Sequence, residues 1–153
     1  MSWSRRHILL APLALTACGF SPVLGPGSAA PRGAFALKTP ETPLGFALLG
    51  RLEDRLGPPD APRYLLSVRI DLDEATSVVT DDQETQRYTL VGRAHWTLSE
   101  SGTERATGTV DSFASYSASG TTVATESARD DAEERLATGL ADRIVTRVWA
   151  TLP

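Results

Sequence analysis

Few residues in this chain could do covalent or acid–base chemistry. Beyond position 17 the only histidine is His95, the only lysine is Lys38 and the only cysteine is Cys18. A serine hydrolase would have to recruit His95 from the middle of an alternating, strand-like stretch, and no Gly-x-Ser-x-Gly elbow presents a serine. There is no Gly-Lys-Ser/Thr phosphate loop, no His-Glu-x-x-His and no run of residues with metal-ligand spacing. Asp71, Asp73 and Glu74 lie close together, but the glycine of a calcium loop is missing, so they read as carboxylates at a strand end. No carboxylate pair is marked out for glycoside hydrolysis. The expectation is therefore no enzyme, no catalytic or metal-binding residues and no cofactor. What remains is binding. Arg69, Arg87, Arg93, His95 and Arg105 share one parity of three alternating stretches, a basic set on an otherwise acidic chain. Arginine forks match the oxygen geometry of phosphate groups. Cross-strand pairing with Asp71, Asp73 and Asp111 explains the same residues as an ordinary solvated sheet face.

Cys18 has a distinct setting. Arg5 and Arg6 open the chain, an apolar run from Ile8 to Ala17 follows, and Leu15-Thr16-Ala17 immediately precede the cysteine. Leu-Thr-Ala-Cys in that position resembles a bacterial lipobox. The resemblance implies cleavage before Cys18 and acylation of its sulfur and new amino terminus, and small Thr16 and Ala17 suit a signal-peptidase site. The apolar run is broken by Pro12 and falls short of the roughly 20 residues a membrane span needs. Ser4-Arg5-Arg6-His7-Ile8-Leu9 also resembles a twin-arginine signal, so either export route is open. Gly19 after the cysteine, where lipoproteins kept in the inner membrane often carry aspartate, implies an outer-membrane destination. The expected organisation is a signal peptide over 1–17, a lipidated start and flexible tether over 18–33, and one domain over 34–153. Cleavage leaves 136 residues with 13 basic and 19 acidic groups, net −6. So acidic a domain is ill-suited to nucleic acid, whose binding rests on phosphate neutralisation. With a single cysteine there is no internal disulfide, and the core alone must hold the fold.

The elements follow from punctuation and period. Residues 25–33 are Gly, Pro, Ser and Ala around Arg32, a tether composition. Ala34–Thr39 is a short strand with Phe35 and Leu37 on one face. Thr42 and Pro43 make a helix N-cap and first helical position; Leu44, Leu48, Leu49, Leu52 and Leu56 form its apolar stripe, and Gly57 followed by two prolines ends it. Gly45 and Gly50 are expected to weaken this helix. Tyr64–Glu74 alternates, with Leu66, Val68, Ile70 and Leu72 inward, and Ala75–Asp82 reads as a loop. A second long strand spans Thr85–Ser99, with Tyr88, Leu90, Ala94, Trp96 and Leu98 inward. A turn at Glu100–Thr103 leads to a third strand, Glu104–Ser117, with Ala106, Gly108, Val110 and Tyr116 inward. Phe113 falls on the opposite parity, which requires either a bulge or an exposed aromatic. Thr121 or Thr122 caps a last helix, Val123–Ala150. Its ladder is Ala128, Ala132, Leu136, Leu140, Ile144 and Val148, widened by Ala137, Ala141 and Val145. The charges Asp130, Asp131, Glu133 and Glu134 form a solvated face, and Arg143 and Arg147 suit the helix dipole. The order predicts an α+β, two-layer sandwich: strand, helix, three-strand meander and helix, giving a four-stranded mixed sheet with two helices on one face.

The residues after the lipobox carry a more specific likeness. Cys18-Gly19-Phe20-Ser21-Pro22-Val23-Leu24-Gly25, followed by this element order along the whole chain, resembles the LPS-assembly lipoprotein family, LptE. Leu24 stands where the family often has tyrosine. The resemblance implies an outer-membrane lipoprotein facing the periplasm that sits in the lumen of the LptD β-barrel. There it assists barrel assembly and lipopolysaccharide insertion into the outer leaflet. Lipid A phosphates are then the ligands that Arg87, Arg93, His95 and Arg105 would meet. An auxiliary lipoprotein of an ABC-type lipid transporter is the alternative from the same compartment. A lipid-tethered periplasmic hydrolase is more remote, for want of catalytic side chains.

Overall fold

Strand β1 (Phe35–Lys38) leads through α1 (Pro43–Leu56) to β2 (Tyr64–Ser77), β3 (Gln86–Glu100), β4 (Thr103–Ala118) and α2 (Thr122–Thr151). The computed structural model describes Ala30 and residues 32–77, 86–118 and 121–152. The strands form one sheet in the order β1-β2-β3-β4. β1 lies parallel to β2, with Phe35 opposite Tyr64, and the other two ladders are antiparallel. The architecture is the expected α+β sandwich, with α1 and α2 side by side on one face of a mixed sheet.

Local chemistry accounts for the ends of α1. The Thr42 hydroxyl accepts from the Gly45 N–H at 3.1 Å, and Gly57, at φ 87°, donates its N–H to the Glu53 carbonyl at 2.7 Å. A side chain would strain that φ, so glycine ends the helix. Gly45 is not the weak point the helix scale suggests. It is buried, and a Cβ there would fall 2.0 Å from the Pro40 carbonyl oxygen. Proximity to that turn requires the glycine.

The core forms where the two apolar periods meet. Phe35, Leu48, Leu52, Leu56, Leu66, Leu90 and Leu98 are fully buried with Leu136, Leu140, Ile144 and Val148 of α2. Leu136 and Leu140 lie over Gly92 of β3, where a Cβ would sit 3.1 Å from each. The Trp96 ring covers Gly108, its direct partner across the β3–β4 ladder. Small residues under large ones let the layers approach closely.

Three expectations change. β2 does not end at Glu74; Ala75, Thr76 and Ser77 pair with Thr89, Tyr88 and Arg87, because backbone pairing continues after the apolar alternation stops. The rest of the expected loop, 78–82, lies outside the described residues. Ile70 and Leu72 have inward parity, yet Ile70 is only partly buried and Leu72 is 38% exposed. Parity sets the face and not how far the helices cover it. The sheet is irregular at Leu98/Ser99, which oppose Ala106 and Glu104, so Arg105 is the extra residue of a bulge. No bulge occurs at Phe113, which keeps its outward parity and is 71% exposed.

Candidate functional site

The helix-free face of the sheet carries the basic set. On it His95 sits between two partners: its Nε2 lies 3.1 Å from Asp71 Oδ2 and its Nδ1 lies 3.0 Å from Thr109 Oγ1. Arg93 Nε donates to Asp111 Oδ1 at 2.8 Å, and Arg69 stands 3.7 Å from Asp71. The register sets Arg93 opposite Asp71 and Asp111 and His95 opposite Arg69 and Thr109. The Arg93–Asp111 and His95–Thr109 contacts are thus direct cross-strand pairs, His95–Asp71 is a diagonal one and Arg69–Asp71 runs along β2. The hydrogen bond from Arg93 to Asp111, and then the Asp111 charge, raise the guanidinium above its ordinary pKa. The face is thus a row of matched charges flanked by exposed Val91 and Phe113, which are direct partners. Arg87 makes no ion pair with any described residue.

Arg105 does not join this set. The bulge brings it to Glu100, which Arg63 also holds, in a pocket lined by Tyr64, Leu98, Thr151 and Leu152 at the end of α2. The Arg63 hydrogen bond lowers the Glu100 pKa against the opposing effect of burial, and Arg105 adds to the lowering. Of the four residues expected to meet a phosphate, three remain on the helix-free face, and two of those have carboxylate partners.

At the other end of the sheet the Tyr116 hydroxyl donates to Glu74, Arg129 stands 3.6 Å from the same carboxylate, and Tyr88 stacks on Tyr116 at 5.2 Å. Burial, and then the hydrogen bond to Glu74, push the Tyr116 pKa from 10.0 to about 12. A raised pKa favours folding while the phenol is protonated in both states. That contribution is complete below pH 10 and is lost as pH rises toward about 12. The stability gap between the native chain and Tyr116→Phe should therefore narrow in urea titrations taken above pH 10. A constant gap would mean that Tyr116 has an ordinary pKa.

Asp142 of α2 accepts from Arg51 at 3.1 Å and from Arg55 at 2.8 Å, fastening α2 to α1. Next to it a groove of about 490 Å³ runs between β4 and α2, lined by Thr109, Asp111, Arg143, Thr146 and Arg147 among others. Sequence reasoning assigned Arg143 and Arg147 only to the helix dipole. The signal it passed over is their i,i+4 spacing with no acid of their own. Among the described residues, no three His, Cys, Asp or Glu side chains gather as a metal site would need, and no helix is long and apolar enough to cross a membrane. Cys18 lies outside the described residues.

The fold is shared with solved lipoprotein structures. A Caulobacter crescentus lipoprotein superposes with a TM-score of 0.66 at 20% identity, over 77% of this chain and 89% of that one. Rare lipoprotein B from Shewanella oneidensis gives 0.56 at 15% identity, over 76% and 94%. A minor lipoprotein from Acinetobacter baumannii gives 0.55 at 17% identity, over 81% and 96%. No curated protein matches significantly by sequence. The lipopolysaccharide-assembly family model, LptE, matches residues 33–148, from the turn before β1 to the last turns of α2. By that match over most of its length, the chain belongs to the lipopolysaccharide-assembly family LptE.

Proposed function

We propose that this protein is a non-catalytic outer-membrane lipoprotein, acylated on Cys18 and held on the periplasmic side by a tether over 18–33. In this reading it partners an LptD-type β-barrel in delivering lipopolysaccharide to the outer leaflet. The family match over residues 33–148 carries the proposal. The physical character of the domain supports it: a small sandwich whose helix-free face is largely polar, with Arg93 and His95 paired to carboxylates, can lie against a polar barrel lumen. Direct contact with lipid A phosphate falls first to Arg87, whose charge no described carboxylate balances. Arg93 and His95 would have to release Asp111 and Asp71 to join it, and Arg105 would have to release Glu100.

Affinity purification of the tagged lipoprotein from detergent-solubilised outer membranes tests the partner. A β-barrel should co-purify, and depletion of the lipoprotein should lower both the mature barrel and surface lipopolysaccharide. Recovery of an inner-membrane transporter instead would transfer the protein to lipid-transporter accessory work. Cys18→Ser should abolish fatty acylation by mass spectrometry and release the protein from the outer-membrane fraction. Acylation that persists in that variant would remove the anchor from the proposal.

A further inference from the structure

Arg93 and His95 are paired with carboxylates on the helix-free face, but the outer edge of the sheet is less protected. β4 is an edge strand of 16 residues, and it contains neither proline nor lysine, the usual means of blunting an edge. The Ser115 carbonyl accepts from Arg135 Nη2 of α2 at 3.0 Å, so this carbonyl points away from β3 toward the free edge. In a regular strand the N–H and C=O of alternate residues share a side. Thr107, Thr109, Asp111 and Phe113 therefore also present their backbone groups outward. The bulge at Arg105 closes this row at one end and Arg135 closes it at the other. From Thr107 to Phe113, seven residues form an open edge of about 24 Å at strand rise.

The groove between β4 and α2 lies along this edge. Its two acids are already engaged, Asp111 by Arg93 and Asp142 by Arg51 and Arg55. Arg143 and Arg147, both exposed, have no ion pair among the described residues, so the groove is cationic. We propose that Thr107–Phe113 is a docking edge for an extended, acid-bearing peptide strand, whose backbone extends the sheet beyond β4 and whose alternate carboxylates meet Arg143 and Arg147. Main-chain pairing supplies the affinity of such an addition and alternate side chains supply the selectivity. A second copy of this chain fits the edge poorly. Antiparallel pairing of β4 with itself would bring two sets of Arg143 and Arg147 toward one axis. The proposal is independent of which envelope protein carries the strand.

The test uses the full lipidated protein in detergent and an acetylated, fluorescent Thr/Val heptapeptide with Glu at every second position. Saturable binding by anisotropy is expected, with slowed amide exchange at Thr107, Thr109 and Asp111. A peptide with Lys in place of Glu should bind at least tenfold more weakly, and so should the Glu peptide to R143Q/R147Q protein of unchanged circular dichroism. Methylating the amides along one edge of the peptide should abolish binding, a control that leaves the protein untouched. Absence of saturable binding, binding that survives methylation, or protection elsewhere in the chain overturns the proposal. So does perturbation of Arg143 and Arg147 by lipopolysaccharide micelles when the peptide leaves the β4 amides unprotected, because the groove would then be an anion site.

Discussion

Leu140→Ala should lower the free energy of unfolding by about 2–5 kcal/mol, the range for truncating a buried leucine. The upper half of that range is expected here for a structural reason. Leu140 is fully buried, and it lies with Leu136 directly over Gly92 of the central strand β3. A cavity left by the missing atoms would have a glycine as its floor, and a glycine has no side chain that could move in. Partial collapse is what makes some leucine truncations mild, and this site has little means of it. Arg143, three residues further along the same helix, is exposed, so Arg143→Ala should stay within about 0.5 kcal/mol of the native chain. Urea titration of both variants measures the contrast. Equal midpoints would show that α2 presents a different face to the sheet.

The ladder that makes this prediction was legible in the sequence, because a four-residue apolar period leaves a helix few ways to face a sheet. The caps of α1 were legible for a similar reason, since Thr42, Pro43 and Gly57 each act on backbone within a few residues of their own position. Features that depend on a second segment were not legible. Alternation gave Leu72 its face, but nothing in β2 records that the helix layer stops short of covering it. Arg105 has the parity of Arg93, yet a bulge fixed by the β3–β4 pairing sends it to Glu100. Asp71 and Asp111 were foreseeable as partners of the basic set, but which cation each would meet was not, because a one-residue change of register would give each a different neighbour. Arg143 and Arg147 gained meaning only once β4 was found to be an edge beside them.

Gly45 and Gly50 carry the same separation into a test. Both are helical residues of α1, and intrinsic propensity predicts that alanine at either should stabilise by about 0.5–1 kcal/mol. At Gly50 nothing lies within 4 Å of the added Cβ, so Gly50→Ala should show that gain. At Gly45 the added Cβ would stand 2.0 Å from the Pro40 carbonyl oxygen and 3.2 Å from the Thr42 hydroxyl that caps the helix. The carbonyl is backbone, so relief requires the turn at Pro40 or the first turn of α1 to shift, and the cap bond from Gly45 is the first contact at risk. Overpacking of this kind costs about 1–3 kcal/mol, and loss of the cap about 1 kcal/mol more. These terms exceed the propensity gain, so Gly45→Ala should destabilise by about 1–3 kcal/mol while Gly50→Ala stabilises. Opposite signs from one substitution, five residues apart in one helix, cannot come from propensity. If urea midpoints rise for both variants, Pro40 yields freely and the close approach of the turn to α1 contributes nothing to the fold.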